Sequence, residues 1–281
     1  MNTSKKQCLF REERIYFTDN GKGRVVVLLH GFLGSSEIWH ETIKSLSRFF
    51  RVIVIDLPGH GDSASYGYIH SMDLMAKAVK SVMDHLKLKR YVIAGHSMGG
   101  YTALAFAELF PDSVRGICLF HSTSFADSDE KKADRKRAIK LVKSDARVFT
   151  KSTIKNLFSA KHEKQHKQEI SFAQKIANKT TKRGIINALE GMRERPSRDI
   201  ILHFADYPVM FIIGKYDAVL PMQLLLNQAE LCRKKYVLLL ENSGHMGFLE
   251  EPRLCIKHLK RFFRISFMPL DKQTSLLKLS S

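Results

Sequence analysis

The sequence lacks the features that mark membrane and secreted proteins. Its 281 residues contain no run of about 18 apolar residues, so no transmembrane helix is predicted. The N-terminus starts with basic residues but has no apolar segment before charges return, so no secretory signal is predicted either. The apolar share of 44% and the charged share of 26% are ordinary for a globular chain. We expect a soluble, cytoplasmic protein.

Cysteines are few, and there is no internal repeat or low-complexity tract. The four cysteines are scattered, with no CxxC pair and no histidine at metal-ligand spacing. They are Cys8, Cys118, Cys232 and Cys255. This pattern gives no sign of a zinc motif or a disulfide framework, and it favours reduced thiols.

Acidic residues are scarce relative to basic ones. The chain has 46 Lys or Arg against 28 Asp or Glu, a formal charge of +18, and residues 127–205 alone hold 20 basic residues against 10 acidic ones. A strongly basic surface attracts phosphates, anionic lipid headgroups or acidic substrates, but a solvated helical face has the same composition. The charge therefore leaves substrate binding, a weak contact with anionic surfaces and simple solvation open.

Short apolar runs that end in turn residues recur along the chain. Their length suits strands buried on both faces, and they occupy residues 24–30, 51–57, 90–95, 114–120, 207–214 and 235–242. Helix-period stretches lie between several of them, at residues 35–50, 71–86 and 98–110. The alternation predicts an α/β fold with a parallel sheet covered by helices. Residues 11–23 alternate in polarity and suit one or two antiparallel edge strands.

One region breaks this alternation. Residues 123–205 contain only helix-period charged and apolar residues, which predicts a helical cap (lid) inserted over one end of the sheet. Residues 1–122 and 206–265 would then form the core, and residues 266–281 a C-terminal tail. Apolar cap residues predict either an acyl pocket or the seam between cap and core; they are Ile139, Val142, Phe149, Leu157 and Phe158.

A candidate nucleophile lies between a predicted strand and a predicted helix. Residues 95–99, Gly-His-Ser-Met-Gly, match the pattern G-x-S-x-G in the strand-to-helix context that the pattern requires. Glycines on both sides of Ser97 permit a turn too tight for larger side chains, and such a turn lifts the hydroxyl into the open. A chance serine in a glycine-rich turn is the alternative, and the context favours the nucleophile.

A serine hydroxyl is a poor nucleophile until a base takes its proton. His245 lies in a loop after the last predicted strand, and Asp217 follows the predicted strand 207–214. Both should lie at the same edge of the sheet as Ser97, where ligands bind in open parallel sheets. The order Ser97, Asp217, His245 is the order expected for such a nucleophile turn. The sequence therefore predicts a Ser-Asp-His triad.

The loop after the first central strand contains glycines that let backbone N–H groups face a ligand. We expect the N–H groups of Phe32, in this loop, and of Met98, directly after the nucleophile, to form an oxyanion hole. Neighbouring residues are expected to contact the substrate: His30, Gly31, His96, Tyr101 and His121.

Together these motifs resemble the α/β-hydrolase superfamily, in the branch of esterase- and lipase-like enzymes with a helical cap. Residues 24–122 and 207–263 carry the resemblance through HGFLGSSEIW, VIVIDLPGHGDS, IAGHSMGG, GKYDAVLP and NSGHMGFLEEP. It implies an eight-stranded, mostly parallel sheet flanked by helices, with neither a metal nor an organic cofactor. It also implies Ser97 as nucleophile, His245 as general base and then acid, and Asp217 as the residue that orients His245. The loop at residues 56–63 would be structural.

Departures from related enzymes narrow the function. Haloalkane dehalogenases and epoxide hydrolases resemble this fold but place aspartate where Ser97 stands. The early motifs also resemble the menaquinone-pathway synthase that eliminates pyruvate, in which an arginine after the nucleophile turn holds a substrate carboxylate. Tyr101 occupies that position here and counts against this lyase. The cap could supply a cation from elsewhere, so the lyase stays an alternative.

Two further classes stay open. A non-catalytic ligand-binding homologue is one, although such proteins often lose a triad member. A nucleic-acid or anionic-membrane binder is the other, but no RRM, KH or helix-turn-helix signature accompanies the charge. We expect a serine hydrolase that cleaves a carboxylic ester, thioester or lactone through an acyl-enzyme on Ser97. Its partner would be a small acyl ester rather than a specific nucleic acid, and it would be a monomer or homodimer.

Overall fold

An eight-stranded sheet forms the centre of the computed structural model, which describes residues 4–269 and residue 273. Its strands are β1 (Lys6–Phe10), β2 (Glu13–Asn20), β3 (Val25–Leu29), β4 (Arg51–Ile55), β5 (Tyr91–His96), β6 (Val114–Phe120), β7 (Val209–Gly214) and β8 (Lys235–Leu240). Their order in the sheet is β1-β2-β4-β3-β5-β6-β7-β8. Strands β3 to β8 pair in parallel, and β2 pairs antiparallel with β1 and β4. The predicted fold is confirmed.

The central strands are mostly apolar because helices cover both faces of the sheet. Every residue of β3, β5 and β7 is buried, as expected for parallel strands with two covered faces. The edge strand β8 instead alternates between buried and partly exposed residues. Because β3 and β5 to β8 run in parallel, the loops that follow them meet at one edge of the sheet.

The helices are α1 (His40–Leu46), α2 (Met72–His85), α3 (Met98–Leu109), α4 (Asp129–Ser144), α5 (Ala146–Asn156), α6 (Lys167–Ala177), α7 (Lys182–Arg193), α8 (Asp199–Phe204), α9 (Met222–Ala229), α10 (Gly247–Glu250) and α11 (Pro252–Ser266). Side-chain caps begin several of them: the Ser71 hydroxyl accepts the Leu74 N–H at the start of α2, and Asp145 caps α5. None of the helices within residues 4–269 is long and apolar enough to cross a membrane.

The N-terminal hairpin begins at Lys6, before the alternating segment 11–23 in which the sequence predicted edge strands. Arg11 and Glu12 form its two-residue turn at positive φ, 49° and 68°, and β1 precedes them. Such turns usually contain glycine or asparagine. Because neither is present, the sequence gives no turn signal at this point.

Between β6 and β7 the described chain contains helices α4 to α8 and no strand. This helical region coincides with the predicted cap, residues 123–205. It contacts the rest of the molecule through ring contacts such as Phe32 with Phe149 and through the ion pair of Lys179 with Glu37. The division into core, cap and tail stays a prediction, and apart from residue 273 the tail beyond residue 269 lies outside the described residues.

Candidate active site

Ser97 stands at the junction of β5 and α3 in a backbone conformation that L-residues rarely adopt, with φ 50° and ψ −114°. Two glycines make this turn sterically feasible. A Cβ on Gly95 would lie 2.2 Å from the carbonyl oxygen of Gly99, and a Cβ on Gly99 would lie 2.5 Å from the carbonyl oxygen of Leu29. Side chains at either position would collide with backbone atoms, so the glycines of the G-x-S-x-G pattern are required here.

Hydrogen bonds from the end of β6 hold this strained turn. The Ser97 N–H donates to the carbonyl oxygen of Phe120 at 2.9 Å. The hydroxyl of Ser122 donates to the carbonyl oxygen of Ser97 at 2.8 Å. Strained backbone of this kind costs about 1–3 kcal/mol and persists only where its surroundings enforce it. The end of β6 therefore helps to fix the position of Ser97.

Asp217 and His245 form a direct hydrogen bond. Oδ2 of Asp217 lies 2.7 Å from Nδ1 of His245. Oδ1 of Asp217 accepts the N–H groups of Val219 at 2.8 Å and Leu220 at 3.0 Å. With both carboxylate oxygens engaged, the orientation of Asp217 is fixed, and Nδ1 of His245 carries its proton toward the carboxylate.

The environment keeps Asp217 ionised although it is buried. Burial alone would raise the pKa of its carboxyl group, but the adjacent His245, the hydrogen bond from its ring and the nearby His121 hold that pKa well below its ordinary value. Asp217 therefore remains an ionised acceptor beside Nδ1 of His245.

His121 is a second histidine beside Asp217. Its Nε2 accepts the N–H of Gly247 at 3.1 Å, so the proton of the neutral ring is on Nδ1, which lies 3.5 Å from Oδ2 of Asp217. Burial is the main cause that lowers the pKa of His121, against the opposing influence of Asp217. A neutral, buried His121 thus faces the same carboxylate oxygen as His245.

His96 connects the nucleophile turn to the loop that carries His245. Its Nε2 donates to the backbone carbonyl oxygen of His245 at 2.8 Å. Burial, followed by the proximity of His245 and His121, lowers the pKa of His96 well below its ordinary value. A Cβ on Gly31 would lie 2.5 Å from Nδ1 of His96, so the loop after β3 also packs closely on this ring.

The loop around His245 is also bound to the helical region. The carboxylate of Glu250 accepts three backbone N–H groups, those of Ser159, Gly244 and Met246. The N–H of His245 donates to the carbonyl oxygen of Leu157 at 2.7 Å. Burial raises the pKa of Glu250 despite these three donors. The segment at residues 157–159 therefore helps to position the histidine.

A cavity of about 360 Å³ opens beside Ser97 and His245, which both line it. On the sheet side its wall includes Phe32, His96 and Tyr101. Helices α4, α5 and α7 supply the opposite wall, together with Leu157, the residue that follows α5. The arrangement brings a hydroxyl, an imidazole with an oriented carboxylate and a largely apolar chamber to one place.

The expected substrate contacts divide into two groups. His96 and Tyr101 line the cavity, whereas His30, Gly31 and His121 do not. His30 is fully buried and bonded through both ring nitrogens, because Nδ1 donates to the carbonyl oxygen of Gly31 at 2.8 Å and Nε2 accepts the Leu57 N–H at 2.9 Å. It supports the loop after β3 instead of facing the cavity.

Of the two residues expected to supply oxyanion donors, one lines the cavity and the other directly follows Ser97. Phe32 lines the cavity, and Met98 is the first residue of α3. The first N–H groups of a helix have no partner within the helix, and the positive end of its dipole lies there.

Among the apolar residues expected in an acyl pocket, Phe149 and Leu157 line the cavity, while Ile139, Val142 and Phe158 are buried elsewhere.

Lys131 and Arg135 also line the cavity, although the sequence did not single them out. The sequence leaves open whether the basic residues of this region bind an anionic substrate or merely face solvent, and it distinguishes no individual residue among them. The spacing of Lys131, Arg135 and Ala138 could have revealed them, since residues at i, i+4 and i+7 share one side of a helix.

A family model described as the alpha/beta hydrolase fold matches residues 24–252. The chain is 25% identical over 254 residues to the dihydrolipoyllysine-residue acetyltransferase component of the acetoin cleaving system of Pseudomonas putida, covering 86% of this chain and 64% of that protein. It is 27% identical over 249 residues to a putative 2-succinyl-6-hydroxy-2,4-cyclohexadiene-1-carboxylate synthase of Bacillus subtilis, covering 84% and 89%. The chain thus spans less than two thirds of the P. putida protein.

Among solved structures, the chain is similar to a thermophilic esterase from Thermogutta terrifontis, determined with malate bound. The TM-score is 0.89 with 26% sequence identity, and the match covers 94% of this chain and all of the other.

Proposed function

The chain belongs to the α/β-hydrolase family, and from this premise we propose that it is a serine hydrolase that cleaves carboxylic esters through an acyl-enzyme on Ser97. The observation that carries the proposal is the 2.7 Å hydrogen bond between Asp217 and His245 at a cavity that Ser97 and His245 both line. The similarity to the T. terrifontis esterase supports an ester as substrate.

In the proposed first step, Nε2 of His245 takes the proton of the Ser97 hydroxyl while its oxygen attacks the ester carbonyl. The N–H groups of Phe32 and Met98 stabilise the negative oxygen of the tetrahedral intermediate. Its collapse expels the alcohol, which receives the proton from His245, and leaves an acyl group on Ser97. Asp217 keeps the proton on Nδ1 and stabilises the imidazolium.

In the second step, water attacks the acyl-enzyme. His245 takes a proton from the water, the new tetrahedral intermediate is held by the same two N–H groups, and the proton returns to Ser97 as the carboxylic acid leaves. Thioesters and lactones react by the same steps.

Two buried histidines and a glutamate would assist the reaction only by holding Asp217 and the His245 loop in place. His96 holds the carbonyl of His245, Glu250 holds the N–H groups on either side of His245, and His121 faces Asp217. We assign these three as positioning residues. The residues between β6 and β7 would serve as the cap, because helices α4, α5 and α7 close the cavity opposite Ser97.

Replacement of the nucleophile tests the proposal. Ser97→Ala should lower turnover of p-nitrophenyl butyrate by at least about 1,000-fold, while the circular dichroism spectrum and the melting temperature show a folded protein. Ser152→Ala removes an exposed hydroxyl on α5 and should leave turnover unchanged. Undiminished turnover by Ser97→Ala would overturn the assignment.

A lyase-like elimination is the second candidate, favoured by the B. subtilis relative and by the cations that line the cavity. In an elimination His245 would remove a proton from carbon, and no acyl group would form on Ser97. Quenched reactions with p-nitrophenyl acetate, analysed by intact-protein mass spectrometry, test the difference: an acetyl adduct supports the hydrolase, and its absence together with absent ester turnover counts against the hydrolase.

A further inference from the structure

The proposed hydrolase has a positively charged wall in its substrate cavity. Lys131, Arg135 and Ala138 lie on one side of α4 and line the cavity. The hydroxyl of Ser128 caps α4 by accepting the N–H of Lys131 at 3.3 Å, so Lys131 stands in the first turn. A helix N-terminus carries partial positive charge and disfavours cations. This placement of Lys131 adds to the positive potential instead of balancing the helix dipole.

The acidic residues near this wall are already occupied. Asp127 pairs with two guanidinium groups, that of Arg135 and that of Arg195, the latter at 2.7 Å. Asp134, which also lines the cavity, pairs with Arg137. Two arginines share the single carboxylate of Asp127, so this side of the cavity retains positive charge.

Lys131 itself has no carboxylate partner among the described residues. Its Nζ donates to the carbonyl oxygen of Val219 at 2.9 Å, and no Asp or Glu oxygen of residues 4–269 lies within 4.0 Å of it. An ammonium group has three donors, so further hydrogen bonds can go to a ligand. Burial, together with Arg135 and Arg195, lowers the pKa of Lys131, against the opposing influence of Asp127. A bound anion would stabilise the charged ammonium group of Lys131 against its desolvation and against repulsion by Arg135 and Arg195.

The charged wall is preorganised. Arg195 is buried and donates to the carbonyl oxygens of Met192 at 2.8 Å and Phe125 at 3.0 Å. Its guanidinium lies 3.9 Å from the centre of the Tyr101 ring, and Tyr101 lines the cavity. Arg195 therefore contacts Tyr101. Tyr101 occupies the position at which the pyruvate-eliminating synthase has an arginine that holds a substrate carboxylate.

We propose that Lys131, supported by Arg135, binds a carboxylate of the substrate, so that the preferred esters carry a carboxylate separated from the reacting carbonyl by a short apolar chain. The proposal rests on the proposed ester hydrolysis at Ser97. Apolar side chains such as Phe149, Leu189 and Met192 line the same cavity and would pack on the chain between the two polar ends.

Two esters that differ only in charge test this selectivity. p-Nitrophenyl hydrogen adipate ends in a carboxylate, and p-nitrophenyl methyl adipate ends in a neutral ester of the same length. The measured quantity is the ratio of their kcat/KM values, from release of p-nitrophenol. Lys131→Met removes the ammonium group and keeps an apolar stem. Lys132→Met is the matched control, because Lys132 is the next residue of α4 and pairs with Asp129 away from the cavity.

We expect the wild type and Lys132→Met to prefer the charged ester. In Lys131→Met the ratio should fall at least about tenfold, the size expected for loss of a hydrogen bond to a charged group. An unchanged ratio would overturn the proposal. If the unchanged ratio comes with an equal fall in kcat/KM for both esters, Lys131 only holds the Val219 carbonyl and with it the Asp217 loop.

Calorimetric titration with adipate tests the carboxylate site without any turnover. Wild type should bind adipate, and Lys131→Met should bind it at least about tenfold more weakly. Absence of adipate binding to the wild type would contradict the carboxylate site even if neutral esters are hydrolysed. Conversely, adipate binding that depends on Lys131, with no hydrolysis of either ester, would keep the site and reject the proposed function.

Discussion

Nε2 of His96 lies 2.8 Å from the backbone carbonyl oxygen of His245, although 149 positions separate the two residues in the chain. The residue before the proposed nucleophile thus holds the loop that carries the proposed base. Any movement of this loop relative to the turn at Ser97 has to break a buried hydrogen bond. Loss of such a bond leaves an unsatisfied carbonyl, which costs about 1–3 kcal/mol.

Replacement of His96 should therefore impair catalysis more than binding. We expect His96→Leu to lower kcat about tenfold with a smaller change in KM, because the base is misplaced while most of the cavity is kept. His96→Gln, whose side-chain amide can donate to the same carbonyl, should recover part of the loss. Steady-state kinetics with p-nitrophenyl butyrate measure both variants. Equal values of kcat for His96→Leu and wild type would argue against this positioning role.

His121 should affect the reaction through Asp217. His121→Asn suits the positive φ of 46° at this position but shortens the side chain that faces the carboxylate. We expect kcat to fall by about fivefold to tenfold, which corresponds to about 1 kcal/mol for the loss of the neighbouring Nδ1–H beside the carboxylate, and the acid limb of the pH profile of kcat/KM to shift. A pH profile identical to that of the wild type would assign His121 to packing alone.

The carboxylate of Asp217 should make stability depend on pH. Its pKa in the folded protein lies well below the value near 4 of a free aspartate, so the unfolded chain binds more protons in acid. The stabilisation from this group is complete above about pH 4 and is lost as the pH falls. We expect the free energy of unfolding to drop more between about pH 5 and pH 3 in wild type than in Asp217→Asn. Urea unfolding at both pH values measures this; parallel losses would contradict it.

Glu250 should contribute to stability through its three backbone donors. In Glu250→Gln the amide group places N–H opposite at least one of these donors, so we expect the free energy of unfolding to fall by about 2 kcal/mol. The exposed Glu241, which pairs with Lys215 at the surface, gives the control: Glu241→Gln should change stability by less than about 0.5 kcal/mol. Denaturant unfolding at pH 7 compares them, and similar losses for the two variants would count against the inferred role of Glu250.

Much of the fold could be predicted because its signals are local. The apolar runs predicted six of the eight strands within a few residues, since buried parallel strands need continuous apolar sequence. The hairpin turn at Arg11 and Glu12 had no such signal, because neither residue is a usual turn former. The pairing of Asp217 with His245 could be predicted because both residues follow strands that end at one edge of the sheet.

The sequence singles out His96 and His121 as substrate contacts, but the positioning roles that we propose for them and for Glu250 could not be predicted, because the partners are distant in sequence. His96, His121 and Glu250 depend on contacts between β5, β6, the His245 loop and residues 157–159 that only the folded chain creates. The position of Lys131 in the cavity could not be predicted for a different reason. A lysine on a basic helix is usually solvated, and composition does not show which side of the helix faces a cavity. The position of Lys131 in the cavity lining and the occupancy of the nearby Asp127 by two arginines distinguish it from the surrounding lysines.

Covalent labelling with a fluorophosphonate, followed by peptide mass spectrometry, shows whether Ser97 carries an activated hydroxyl. The proposed chemistry requires an activated hydroxyl at Ser97, so we predict a single adduct on the peptide that contains Ser97 and its loss in Ser97→Ala and, in large part, in His245→Ala. Ester turnover by a protein that carries no adduct at Ser97, or an adduct formed only at another residue, would contradict the account.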